Sequence, residues 1–144
     1  MLTDPIKNDE LSSDRLKVKF ASCPVSASLG VLGRKWTLLI IRNIALYNKQ
    51  RFNEMLKVTP GLTPRVLAMR LRELRSEGLI ECVDNDENLM IWSLTEKGRD
   101  TLPILMCMAM FGSKWFADKV FADKSARSLK EVFDEQYIRE ILQI

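Results

Sequence analysis

RFNEMLKVTPGLTPRVLAMRLRELRSEGLIECVDNDENLMIWSL, residues 51–94, decides the reading of this chain. Phe52 to Leu56 makes a brief helix, and Thr59-Pro60-Gly61-Leu62 is the punctuation that follows it. Thr63 is a good N-cap. Pro64 is a good first helical residue, because its ring presets φ and lacks an N–H that would be orphaned there. The helix they open is predicted to run to Glu77, with Gly78 in the left-handed position that closes it. Leu79 to Val83 and Met90 to Leu94 alternate as two strands, with Asp84 to Asn88 as the connecting tip. Helix, turn, basic helix and hairpin in that order give a mainly α chain with a small β-hairpin wing. That is the layout of a winged helix-turn-helix, which holds one helix against the major groove of DNA.

The helix from Pro64 carries the chemistry. At 100° per residue, Leu67, Leu71 and Leu74 fall within about 60° of one another and face the core. Arg65, Met69, Arg72 and Ser76 cluster on the opposite side, with Thr63 at the start. An ordinary solvated face mixes charges, whereas this one has two arginines and no acid. The planar fork of arginine can bond guanine O6 and N7 together, each such pair being worth roughly 1–3 kcal/mol of discrimination. Early residues of a recognition helix penetrate deepest, so Arg65 and Met69 are the base-reading candidates. Arg72, further along, reads a base or holds a phosphate. Arg75, Lys49, Arg51, Arg34 and Lys35 are placed for phosphates, which set register and carry no sequence information.

Charge is distributed to match. Between Arg34 and Gly78 stand ten Lys/Arg and three acids, a net of +7, while the remainder nets −4 and the whole chain +3. A basic middle with acidic flanks suits a phosphate footprint, although solvated helix faces give the same count. The chain has no histidine. This removes Ser-His-Asp and Cys-His catalysis, His-containing zinc sites and the usual near-neutral base. The cysteines Cys23, Cys82 and Cys107 form no CxxC pair, so no zinc site and no disulfide framework is suggested. No cofactor and no metal are expected, and an enzyme is the weakest reading. The 144 residues, 47% of them hydrophobic, suffice for one compact domain. There is no secretory signal, and the longest apolar run, Ile104 to Phe111, is far short of the about 20 residues a membrane span needs. A soluble, cytoplasmic protein is expected.

Outward from the central stretch, residues 1–22 read as a polar arm or short helix. Pro24 opens a helix to about Leu32, with Val25, Leu29 and Leu32 on one face and Gly33 ending it. A second helix, about Lys35 to Tyr47, is apolar nearly all round at Trp36-Thr-Leu-Leu-Ile-Ile and should be the most buried. Asn48 to Arg51 is a turn or a short edge strand. After the hairpin, Thr95-Glu-Lys-Gly opens a long helix toward Lys119, kinked or broken in its first turn at Pro103. Ser128-x-x-Glu131 is a capping box starting a last helix through about Leu142. The expected division is an arm at 1–22, a DNA-binding core at 23–100 and C-terminal helices for dimerisation at 101–144.

The strings Cys23-Pro24-Val25, Gly33-Arg34-Lys35-Trp36-Thr37 and Arg51-Phe52-Asn53-Glu54 come in that order. Pro60-Gly61-Leu62-Thr63, Leu71-Arg72-Glu73-Leu74, Glu77-Gly78-Leu79-Ile80 and Ser93-Leu94-Thr95-Glu96-Lys97-Gly98 follow. Together they resemble the HxlR-type branch of the MarR-like winged-helix regulators over roughly Cys23 to Phe116. The resemblance implies a homodimeric transcription regulator on an inverted-repeat operator, with the first and last core helices joining the subunits. It also implies response to an electrophile or oxidant through the cysteine of the Cys-Pro motif, here Cys23. Two features depart from the pattern. The tip Asp84-Asn-Asp-Glu-Asn88 is acidic, so the wing either stays off DNA or makes only asparagine contacts through Asn85 or Asn88. The tail beyond Lys119 is longer than the family core needs.

The residues speak to dimerisation independently. Ile104-Leu-Met-Cys-Met-Ala-Met-Phe111, followed by Trp115 and Phe116, is apolar on every face. A chain this small cannot hide both sides of such a helix, and a symmetry mate is the simplest cover. The alternatives are cover by the C-terminal segment, or methionines lining an adaptable pocket. Cys23, at a helix start, has its thiolate favoured by the helix dipole and nearby Arg or Lys, or else is an inert small hydrophobe. Cys82 and Cys107 read as structural. The leading expectation is a dimeric sequence-specific DNA-binding regulator, most simply a repressor. The alternative is a winged-helix protein–protein interaction module without specific DNA binding.

Overall fold

A computed structural model describes residues 14–84 and 90–144. The elements in order are α1 (Pro24–Leu32), α2 (Thr37–Ala45), α3 (Phe52–Lys57), α4 (Pro64–Ser76), β1 (Ile80–Asp84), β2 (Met90–Leu94), α5 (Glu96–Arg99), α6 (Leu102–Trp115), α7 (Ala117–Val120), α8 (Leu129–Val132) and α9 (Glu135–Leu142). Residues 14–23 contain no helix, and the rest of the expected arm lies outside the described residues.

The core is built where amphipathic faces meet. Ile40, Ile41 and Ile44 of α2, Met55 of α3, Leu67, Leu71 and Leu74 of α4, and Ile80 and Trp92 of the hairpin form one buried cluster. As the apolar run predicts, α2 is central, although it spans less than expected and Leu39 remains partly exposed. Strands β1 and β2 pair antiparallel with Ile80 opposite Leu94 and Cys82 opposite Trp92. Asn48 to Arg51 is no strand in its own right, yet Gln50 is tied to β2. Trp92 N donates to Gln50 O at 2.9 Å, and Gln50 Nε2 donates back to Trp92 O at 3.1 Å. Gly98 lies so close under the hairpin that a Cβ there would run into the Leu79 carbonyl oxygen. The Thr95-Glu-Lys-Gly turn therefore packs β2 back onto the end of α4.

One helix breaks as expected and another departs from expectation. The long helix from Thr95 is broken before Pro103, giving the short α5 and a separate α6 with the proline in its first turn. That is where a proline lacking an N–H costs nothing. The last helix is divided as well. The capping box at Ser128 and Glu131 is present, but Phe133 is extended (φ −120°, ψ 152°) and Asp134 caps a new helix, accepting from Tyr137 N at 3.1 Å.

α6 presents two chemically similar sides with different fates. Leu102, Leu105 and Met106 enter the core. Ile104, Met108, Phe111 and Trp115 line the other side and stay exposed, Phe111 at 58% and Trp115 at 65%. Cys107, expected to be structural, is exposed on this same side. α1 has no buried residue, and its Val25 and Leu29 are also exposed. Val25, Leu29, Leu39, Ile104 and Met108 line a common apolar depression, so the exposed faces of α1 and α6 are continuous. Among the described residues no helix is long and apolar enough to cross a membrane.

Candidate nucleic-acid interface

The α4 helix is fixed at both ends and along one side. Thr63 Oγ1 accepts from Val66 N at 3.3 Å, Pro64 occupies the first turn, and Gly78 takes φ +77° beyond the helix. Leu67, Leu71 and Leu74 are 0–2% exposed, so the leucine side is fully committed to the core. Arg65, Met69, Arg72 and Ser76 are all exposed, as are Thr63 and Arg75. No described segment covers the arginine side. Arg65, Arg72, Arg75 and Arg51 ion-pair with no acid among the described residues, which leaves their guanidinium groups available.

The remaining predicted cations divide differently. Arg34 pairs with Glu73 at 3.1 Å, and Arg70, only 16% exposed, pairs with the same carboxylate at 3.1 Å. Arg70 Nε also donates to Lys35 O at 2.9 Å. The ammonium of Lys35 lies 5.0 Å from the centre of the Trp36 ring, and Lys49 is half-buried. The sequence alone reads Arg34 and Lys35 as loose phosphate ligands and gives no sign of Arg70 as a structural residue. Together these groups clamp the α1–α2 corner to α4. Trp36 in that corner has φ +80°, a left-handed conformation costing on the order of 1–3 kcal/mol outside glycine. The Arg70 bond to the preceding carbonyl helps to offset that strain and orients α4 relative to α1.

A second buried link reaches the turn before α4. Asn43, 0% exposed, donates from Nδ2 to Thr59 Oγ1 at 2.8 Å. Its Oδ1 accepts from Arg42 Nη2 at 2.8 Å, and Arg42 Nη2 also donates to Val58 O at 3.4 Å. The pair satisfies a buried amide, which would otherwise cost about 1–3 kcal/mol, and fixes the α3–α4 turn against α2.

Cys23 lies apart from this face, at the N-cap of α1. The backbone N–H of Ser26, then the Ser26 hydroxyl, hold its thiol below the usual value, with the Val25 N–H adding to the effect. The lowering comes from these donors at the helix start, and not from an Arg or Lys. Of the acidic wing tip, Asp84 ends β1, whereas Asn85 to Asn88 lie outside the described residues, and so do the expected Asn85 and Asn88 contacts.

A family model of HxlR-like helix-turn-helix proteins matches residues 31–120. The chain belongs to this HxlR-like family. The match begins in α1 and ends with α7, so it includes α4 and the hairpin and leaves α8 and α9 outside it. Among relatives, the HTH-type transcriptional regulator YdeP of Bacillus subtilis is 32% identical over 128 residues, covering 88% of this chain and 98% of its own. The crystal structure of PA1607 aligns with TM-score 0.61 at 35% identity, covering 74% of this chain and 72% of that one. The reduced form of the redox regulator HypR aligns with TM-score 0.55 at 33% identity, covering 62% of this chain and 90% of that one. This HxlR-like chain is thus a helix-turn-helix transcriptional regulator with the winged-helix fold, and the matched residues include α4 with its exposed arginine side.

Proposed function

We propose that the protein binds an inverted-repeat operator in double-stranded DNA as a homodimer and represses by occupying it. One observation carries this reading: α4 commits its leucine side entirely to the core and leaves Arg65, Met69, Arg72 and Ser76 uncovered. Arg65 and Met69 read bases, with Arg72 beside them. Arg51, Arg75, Lys49 and Lys35 hold phosphates. Residues 23–100 form the reading core, and the helices of 101–144 serve dimerisation. The continuous apolar face of α1 and α6 supports the second copy, because a contiguous exposed apolar surface in a small protein marks an interface. Titration against the upstream DNA of its own gene tests the reading. Affinity should exceed that for random DNA and fall steeply with salt, through counterion release. Absence of both effects would overturn it.

The Glu73 pairing has a consequence for the salt dependence. Glu73→Gln releases Arg34 from its ion pair, and a freed Arg34 can neutralise one more phosphate. The expected outcome is a log affinity–log salt slope steeper by about 0.9, measured by fluorescence anisotropy. An unchanged slope would place Arg34 away from the DNA backbone.

Regulation through Cys23 belongs to the same proposal. Its lowered thiol pKa supports reactivity, and the structural relative HypR bears the description of a redox regulator in both reduced and oxidised forms. A lowered pKa enlarges the thiolate fraction at neutral pH, and the thiolate is the reacting species. The rate of Cys23 alkylation should therefore level off at a lower pH than that of a cysteine in a short unstructured peptide. Mass-spectrometric labelling rates check this. A small quinone should weaken operator binding by wild type and leave Cys23→Ser unaffected; equal responses would remove Cys23 from sensing.

A further inference from the structure

A cleft of about 750 Å³ opens between the end of α2, the back of α6 and the C-terminal segment. Its floor is Ala109, Gly112 and Ser113 of α6, and four aromatic rings, Tyr47, Phe121, Phe133 and Tyr137, contribute to its walls. The Phe133 and Tyr137 rings are 6.2 Å apart, centre to centre. Among the described residues Arg42 is the only charged one lining it, and the Arg127 guanidinium packs 4.1 Å from the centre of the Phe121 ring. A volume of this size, mostly apolar with one fixed charge, has the composition of a small-molecule site.

The state of Arg42 specifies the ligand. Its guanidinium lies 4.5 Å from the centre of the Tyr47 ring. Nε and Nη2 are engaged by Asn43 Oδ1 and Val58 O, while Nη1 has no hydrogen-bond partner among the described residues. Nη1 thus keeps two N–H donors on a cation held in place by its other nitrogens, and an anionic oxygen such as a carboxylate's is the acceptor that a charged donor bonds most strongly. The rings require a flat apolar body on that carboxylate. Burial, and Glu140 after it, raise the Tyr137 hydroxyl's pKa, so it stays protonated and can donate.

We propose that this cleft binds a planar aromatic carboxylate, seated among the four rings with its carboxylate on Arg42. Phe121, Phe133 and Tyr137 all lie beyond residue 120, where the family match ends. Three of the four rings therefore lie outside the matched core, whereas Arg42, Tyr47 and the α6 floor lie within it. The cleft also has a route to the DNA-reading head. Arg42 is bonded to Asn43 and Val58, and Asn43 to Thr59, at the turn before α4. The bearing of this on DNA rests on the reading of α4 given above, whereas ligand binding does not.

Calorimetric titration of the full chain with 2-naphthoate, and with its neutral counterpart 2-naphthamide, tests the proposal without DNA. Naphthoate should saturate at one per chain, and naphthamide should bind at least tenfold more weakly. Arg42→Gln should lose at least tenfold in naphthoate affinity, and Ala109→Phe, which fills the floor and keeps the cation, should abolish binding. No saturation by naphthoate, equal affinity for the amide, or unchanged binding in a folded Ala109→Phe protein would each overturn it. Should Arg42→Gln fail to fold, the acid–amide comparison in wild type still decides the role of charge. Because all these readouts are on free protein, they separate failure of this site from failure of operator binding.

Discussion

Arg65→Ala is expected to lower affinity for the operator about 10- to 100-fold while leaving affinity for random DNA within a few-fold. Losing a bidentate arginine–guanine pair costs roughly 1–3 kcal/mol of discrimination, and that loss falls only where the guanine is present. Arg65 is exposed in the first turn of α4, two residues after the Thr63 cap, so its removal leaves the leucine side untouched. Lys49→Ala provides the contrast. Removing a phosphate-binding ammonium there weakens all DNA about equally and reduces the salt slope by about 1. Competition binding against an operator and its base-substituted versions separates the two. If Arg65→Ala weakened both DNAs alike, Arg65 would be a phosphate ligand and base reading would pass to Met69 or Arg72.

The second large effect is expected on α6. Phe111→Glu places a carboxylate on the uncovered apolar face, where the wild-type ring is 58% exposed in the single chain. In an isolated subunit that charge remains hydrated, so the fold is little affected. In a dimer it is buried without a partner, at a cost of several kcal/mol. The variant should sediment as a monomer with an unchanged far-UV spectrum. Its operator affinity should fall by about 10²-fold or more, because two linked half-sites bind about 10²–10⁴ more tightly than one. A Phe111→Glu protein that remains dimeric would show that subunits associate through another surface. A monomer that keeps full operator affinity would show that dimerisation is dispensable for binding.

The elements that matter most are readable in the sequence because their signals are local. Thr63, Pro64 and Gly78 bound α4 through cap chemistry, and the leucine period orients it, all within one short stretch. The exposed side of α6 follows from simple excess, since one core cannot absorb every side of that helix. What escapes is long-range. Nothing in the sequence near Arg34, Arg70 or Glu73 states that the α1–α2 corner docks on α4, and by its position on the wheel Glu73 is only a flanking acid. A tryptophan gives no hint of left-handed backbone, and at Trp36 tertiary packing overrides its preference. The break at Phe133 is hidden because the apolar spacing continues across it, although Asp134 carries an N-cap signal of its own. The aromatic cleft is invisible for the same reason: its lining comes from α2, α6 and three separate parts of the tail.

The central claim is that the uncovered side of α4 lies in the major groove in each half of the operator. Photo-crosslinking from a benzophenone-bearing residue at position 69 tests it most directly. The account predicts crosslinks to bases at two symmetric positions about 10 base pairs apart, one helical turn, as required by paired recognition helices. Crosslinks confined to a partner protein, or absent from a chain still bound to its operator, would contradict it.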